Sequence, residues 1–292
     1  MRGYRVFVSV LAVMLVSLAL TGCGGTASAN NPSGGNASPT PAPSASPTPP
    51  PAPSASPTPI PSPSPTPTPV APSSTVIDNI EDSPNWLTCG ACGNTGGTGA
   101  VAPYTFTPGM GSPSEDGAST QFSIAATVAF TNGYFYRQQT PITKQIDALT
   151  YEFDLYIPSG METAPEAIEF ECQQSIGGWV YNFAWQAEYH GTKLWRIFDY
   201  GLKRWDATTI AFQGFTPGTW HHIVAEYHND TANHVVWHDA LTVDGVRFPV
   251  NISHNAFFSG GGNQFTNAFQ LDSNSAPAPY SVYVDKMKIT YR

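Results

Sequence analysis

No stretch of this 292-residue chain keeps an apolar stripe at helical spacing, which argues against a helical bundle or a helix-flanked sheet. No apolar run reaches the 18 or so residues of a membrane-spanning helix; the longest, residues 6–20, has about 15. Lys and Arg are scarce, 12 against 21 Asp and Glu, and this balance argues against nucleic acid or an anionic membrane surface as partner. There is no G-x-S-x-G elbow, no phosphate-binding P-loop and no dinucleotide fingerprint, so nothing points to nucleotide chemistry or a serine hydrolase. Residues 24–75 contain no Asp, Glu, Lys or Arg at all.

What is present divides the chain into three expected parts: 1–22, 23–75 and 76–292. Arg2 and Arg5 precede the apolar run 6–20, as in a secretory signal peptide. The run ends in Leu20, Thr21, Gly22 and Cys23, which resembles a bacterial lipobox. That resemblance implies cleavage before Cys23 and acylation of Cys23, palmitate-type chains included. Several acyl chains on one residue anchor a protein stably, where one chain does not. The expected location is the cell envelope, lipid-anchored, at the outer membrane or cell surface, with membrane contact through the anchor only.

Residues 31–75 hold 17 of the 28 prolines among Ser, Thr and Ala, and the nonapeptide PAPSASPTP at 41–49 recurs at 51–59. Such a segment has little to bury and cannot offset the entropy of ordering. It reads as a disordered tether, extended by proline at about 3.1 Å per residue.

All 21 acidic residues and all but two of the 12 basic ones fall in 76–292, which is long enough for one sizeable core. Alternation with period two is frequent there. Tyr151, Phe153, Leu155 and Ile157 face one way and Glu152, Asp154 and Tyr156 the other. Ile168, Phe170 and Cys172 alternate with Glu169, Glu171 and Gln173; an aromatic row from Trp179 to Tyr189 alternates with Asn182, Gln186 and Glu188. Asp244-Gly245 and His190-Gly191 mark hairpin turns. The expectation is an all-β antiparallel sandwich.

Residues 215–227 (FTPGTWHHIVAEY), followed by 241–245 (LTVDG), resemble the G-x-W-H-H-V-x-x-x-Y … V-D-G core of laminin-G-like and concanavalin A-like lectin/glucanase domains. Residues 281–289 (SVYVDKMKI) are similar to the closing strand of such domains, which returns beside an N-terminal strand here matched by 76–80 (VIDNI). The resemblance implies a jelly-roll sandwich. It implies little about function, because that fold hosts lectins, hydrolases, lyases and adhesion modules.

Glu169 and Glu171 are the catalytic candidates, two carboxylates on one strand face about 7 Å apart. The string EFECQQ (169–174) resembles the E-x-D-x-x-E strand of family-16 glycoside hydrolases, with Glu171 in place of Asp and Gln174 in place of the acid/base Glu. An amide cannot deliver a proton, so a binding groove is favoured over a working hydrolase. Gln174, Asn182, Gln186, Glu188, Trp195, Arg196, Tyr200 and Trp205 are the expected ligand contacts. A polar, acidic groove with an aromatic rim suits a neutral polysaccharide or glycan. The leading reading is a lectin-like carbohydrate-binding module. The alternatives are a glycoside hydrolase or polysaccharide lyase, and an adhesion domain that binds protein.

No cofactor is required by any motif. The resemblance implies one structural Ca²⁺ near the terminal strands, with Asp78, Glu81 and Asp285 as oxygen donors. Cys89 and Cys92 are expected to form a local disulfide, as suits an extracytoplasmic protein. Cys172 reads as a buried free thiol.

Overall fold

The computed structural model describes residues 73–88, 102–138, 142 and 144–292. Cys23, Cys89 and Cys92 lie outside the described residues, as do the signal segment and the tether up to residue 72; Thr75, expected at the end of the tether, opens β1. Among the described residues every regular element is a strand. In chain order these are β1 (Thr75–Ile77), β2 (Leu87–Thr88), β3 (Tyr104–Met110), β4 (Ser119–Ile124), β5 (Asn132–Gln138), β6 (Ala148–Tyr156), β7 (Pro165–Ile176) and β8 (Gly178–Glu188). There follow β9 (Leu194–Asp199), β10 (Arg204–Ala211), β11 (Trp220–Asp230), β12 (Val235–Val243), β13 (Val246–Asn255), β14 (Phe257–Gly261), β15 (Gln264–Ser273) and β16 (Tyr280–Tyr291).

They form two sheets of eight strands, antiparallel at every pairing, so the expected sandwich is what the chain builds. The first sheet runs β13-β12-β11-β6-β16-β4-β3, with β1 against β16. The second runs β10-β9-β8-β7-β15-β5-β2, with β14 against β8. The C-terminal strand returns beside the N-terminal one, Thr75 opposite Tyr291.

The alternation read from the sequence decides which face each strand buries. On β6, Leu149, Tyr151, Phe153 and Leu155 point inward; on β7, Ile168, Phe170 and Cys172; on β8, Tyr181, Phe183 and Trp185. Phe153 of the first sheet meets Phe170 and Phe269 of the second at ring separations of 4.9 and 6.0 Å, edge to face. Phe122 on β4 meets Phe135 on β5 at 4.9 Å in the same way. These rings zip the sheets together, and their buried area is the main source of cohesion. Cys172 is a fully buried free thiol.

The W-H-H … V-D-G signature proves to be a turn clamp. Asp244 and Gly245 both adopt positive φ (50° and 79°), as a two-residue hairpin between β12 and β13 requires. Asp244 pairs through Oδ2 with His221 Nδ1 at 2.7 Å and accepts the His222 N–H through Oδ1 at 2.9 Å. The His222 ring meets Asp154 at 2.6 Å on the outer face of the first sheet.

Candidate binding site on the second sheet

Register places the outward residues of the second sheet in cross-strand rows. In one row Trp205 stands opposite Phe198, and Glu171 stands between Ala184 and Ala268. In the next, Gln186, Glu169, Gln270 and Tyr134 lie side by side on β8, β7, β15 and β5. A third brings Asp272 opposite Asn132. Ala184 and Ala268 carry only a methyl group each, so the sheet is hollowed on both sides of Glu171. The resulting cavity, about 280 Å³, is floored by Glu169, Glu171, Gln186, Gln270 and Asp272, and rimmed by Phe130, Phe198 and Trp205.

The polar floor is a connected network. Glu169 accepts from Gln186 Nε2 at 2.6 Å and from Gln270 Nε2 at 2.8 Å; the same Gln270 nitrogen reaches Asp272 at 2.9 Å. Glu171 accepts from Asn182 Nδ2 at 2.9 Å and from the Tyr134 hydroxyl. Burial raises the affinity of Glu169 for its proton well above that of a free glutamate, and the adjacent Asp272 charge adds to the effect. Burial likewise pushes the Asp272 carboxyl up to about 7, against the stabilising influence of Glu169 and of the Gln270 amide. The two carboxyls, held on one Gln270 nitrogen, interact as they titrate. Glu171 is also raised by burial, less so because Tyr134 and Asn182 donate to it.

Behind the rim, Lys203 sits 3.0 Å over the Tyr200 ring. Burial lowers the Lys203 ammonium to about 8, with Glu171 as its charge partner, and lifts the Tyr200 hydroxyl to about 12. Arg196 pairs with Glu188 at 3.0 Å, beside the hollow and outside its lining.

Glu169, Glu171, Asn182, Gln186, Glu188, Arg196 and Trp205 thus share the outward face, and Tyr200 backs the rim. Two expected ligand contacts do not belong there. Gln174 is fully buried on the opposite side of β7, where it binds the Ile146 N–H (3.0 Å) and the Lys144 carbonyl (2.7 Å). The hydrolase-type motif needs a bulge before that position, whereas β7 pairs with β8 without a register shift from Ala167 to Ile176, so strict alternation turns Gln174 inward. Trp195 is a core residue, packed against Trp185, Phe170, Phe212 and Phe215; adjacent Arg196 takes the outward place, and neighbours on a strand cannot share a face.

The sequence reading missed Asp272, Gln270 and Tyr134. Their own strands alternate legibly (Phe265, Phe269 and Leu271 inward; Ala268, Gln270 and Asp272 outward), but nothing local says which strand lies beside β7.

The expected calcium donors are also rearranged. Asp78 is exposed and accepts the Asn79 N–H at 3.2 Å, while Asp116 takes its place beside Glu81 and Asp285. One oxygen from each of these three lies within 4.8 Å of the others. Glu81 is fully buried; Oε2 accepts the Met287 N–H at 2.9 Å and Oε1 has no hydrogen-bond partner. Burial pushes this carboxyl up to about 8.

No protein-family model matches the chain, and neither does any curated protein sequence. Among solved structures, it is similar to a carbohydrate-binding module of the β-sandwich superfamily, at 13% identity and a TM-score of 0.37 over 71% of this chain and 58% of that one. It is also similar to peanut lectin bound to a nine-residue peptide, at 9% identity and a TM-score of 0.44 over 76% and 98% of the two chains. A third is an alginate lyase, at 11% identity and a TM-score of 0.39 over 60% and 81%. The chain spans little more than half the length of that carbohydrate-binding module. Likenesses this distant bear on neither ligand nor activity.

Proposed function

We propose that the hollow over Glu169, Glu171 and Asp272 binds a glycan. The observation that carries this reading is a cavity whose floor is a hydrogen-bonded set of carboxyls and amides and whose rim is aromatic. Sugar hydroxyls need paired donors and acceptors, which Gln186, Gln270 and the carboxyls supply. The apolar faces of a pyranose pack on rings such as Trp205 and Phe198. The excess of acids favours a neutral glycan over a polyanionic one.

Hydrolysis is the second reading, favoured by the presence of Asp272 as a second acid beside Glu169. Its geometry is adverse. Retaining enzymes separate their two carboxyls by about 5–5.5 Å and inverting ones by about 6.5–9.5 Å, to lodge the anomeric carbon or a water between them. Here one Gln270 amide nitrogen, bonded to both carboxyls at 2.8 and 2.9 Å, occupies the space between them. The test is a glycan array and polysaccharide pull-down with the protein, run beside a reducing-sugar release assay on every binder. Binding without release, weakened by Glu169→Gln, supports the binding module. Release that vanishes in Glu169→Gln makes it a hydrolase. The absence of both binding and release moves the choice to a protein ligand or a structural surface domain.

The Leu-Thr-Gly-Cys string supports lipid anchoring at Cys23 and a place on the cell envelope, with 24–75 as tether; labelling with a radioactive fatty acid, lost in Cys23→Ser, tests it. The unpartnered Glu81 oxygen supports Ca²⁺ held by Glu81, Asp116 and Asp285.

A further inference from the structure

At the open edge between the two sheets, where β10 and β13 end the layers, polar groups occupy inward positions that a sandwich ordinarily gives to core. Asp206 stands opposite Ile197, a fully buried residue, and Asp199 follows on the same face of β9. From the other sheet His254 stands opposite the core residue Val236, and His238 lies on the same inner face of β12. His238 is fully buried and the His254 side chain is 9% exposed.

One ligand atom each from Asp199, Asp206 and His254 lies within 4.8 Å of the other two. His254 Nε2 is 3.3 Å from Asp206 Oδ2. Donor atoms around a tetrahedral zinc, each about 2.0–2.2 Å from the ion, stand roughly 3.4 Å apart. That edge of the triangle is already at metal-binding length. Both carboxylates are held from behind: the Leu202 N–H donates to Asp199 Oδ1 at 2.9 Å, and Arg204 Nε to Asp206 Oδ1 at 2.8 Å. Arg204 Nη2 also reaches Asp206 Oδ2, at 3.4 Å. Outer partners of this kind fix ligand orientation.

A second observation is independent of the acids. His254 Nδ1 is buried with no hydrogen-bond partner, and the fully buried His238 ring lies 5.7 Å from the His254 ring. A buried polar atom left unpaired destabilises the fold, and an apolar residue at this inward position would avoid the cost.

We infer that Asp199, Asp206 and His254 form a site for a divalent transition-metal ion of the zinc class, bridging the free edges of the two sheets, with His238 as the imidazole behind it. An imidazole with two carboxylates suits Zn²⁺, Co²⁺ or Mn²⁺ and sets this site apart from the all-oxygen cluster at Glu81. The ion fixes β10, the strand that carries Trp205.

The test uses Co²⁺ as a spectroscopic probe on full-length protein stripped with a chelator, together with melting curves in Zn²⁺. The expected result is a visible cobalt absorption band that saturates at one equivalent, and a Zn²⁺-dependent rise in melting temperature. Both are lost in Asp206→Asn and His254→Ala and kept in Glu81→Gln. Asp206 is partly exposed, so its Asn variant keeps the test valid if His254→Ala fails to fold. A protein with neither cobalt band nor Zn²⁺-dependent melting shift overturns the inference. So does an Asp206→Asn variant that responds as the unaltered protein does; the pair would then be an ordinary His–Asp contact.

Discussion

The carboxyl of Glu169 on β7 and that of Asp272 on β15 are spanned by a single amide nitrogen of Gln270, 2.8 Å from one and 2.9 Å from the other. Both acids hold their proton more tightly folded than unfolded. Below about pH 4 both states are protonated and the pair's contribution is fully present. As pH rises from about 4 through 7, the unfolded chain sheds protons that the folded pair keeps, and the contribution is lost. Melting temperature should therefore fall between pH 5 and pH 8, and Asp272→Asn should flatten that fall. Equal slopes in the two proteins would refute the raised Asp272 carboxyl as the cause.

Glu81 gives a second pH-dependent prediction, of opposite use. Its carboxyl, pushed up to about 8, must lose its proton to hold a cation. Added Ca²⁺ should raise the melting temperature more at pH 8 than at pH 6, and Glu81→Gln should abolish the response. A calcium shift that survives in Glu81→Gln places the ion elsewhere.

The two tryptophans Trp195 and Trp205 should behave oppositely, although both lie in the segment that looked like a rim. Trp195→Ala opens the core between Trp185 and Phe212 and should destabilise the domain by about 3–5 kcal/mol. Trp205→Ala should leave denaturant midpoints nearly unchanged and weaken glycan binding about tenfold, a loss of roughly 1.4 kcal/mol. Paired urea melts and calorimetric titrations distinguish the two.

Gln174→Ala should cost about 1–3 kcal/mol, because the Ile146 N–H and Lys144 carbonyl lose their buried partner. Glycan binding should be affected only through stability. A variant that folds with full stability yet loses binding would return Gln174 to the site.

The contrast between Gln174 and Asp272 shows how far sequence alone reaches. Alternation is local, so it revealed which side chains of β7 and β8 share a face: Glu169 and Glu171 with Asn182, Gln186 and Glu188. It also identified the Asp244-Gly245 turn from two adjacent residues. Pairing is not local. Gln270 reaches Glu169 from 101 residues away, and nothing near either residue announces the contact. Gln174 went astray because a family motif carrying a bulge was laid over a strand that has none. Asp116 escaped notice because it lies in a loop, where no periodicity orients a side chain.

Ala184 and Ala268 make the depth of the hollow a matter of two methyl groups, neither of which takes part in the hydrogen-bonded floor. Ligand girth and ligand chemistry are therefore set by separate residues. Substitutions at these two positions alone would shallow the trough and select slimmer chains while leaving every donor and acceptor in place. The sheet can change what it admits without rebuilding what it recognises.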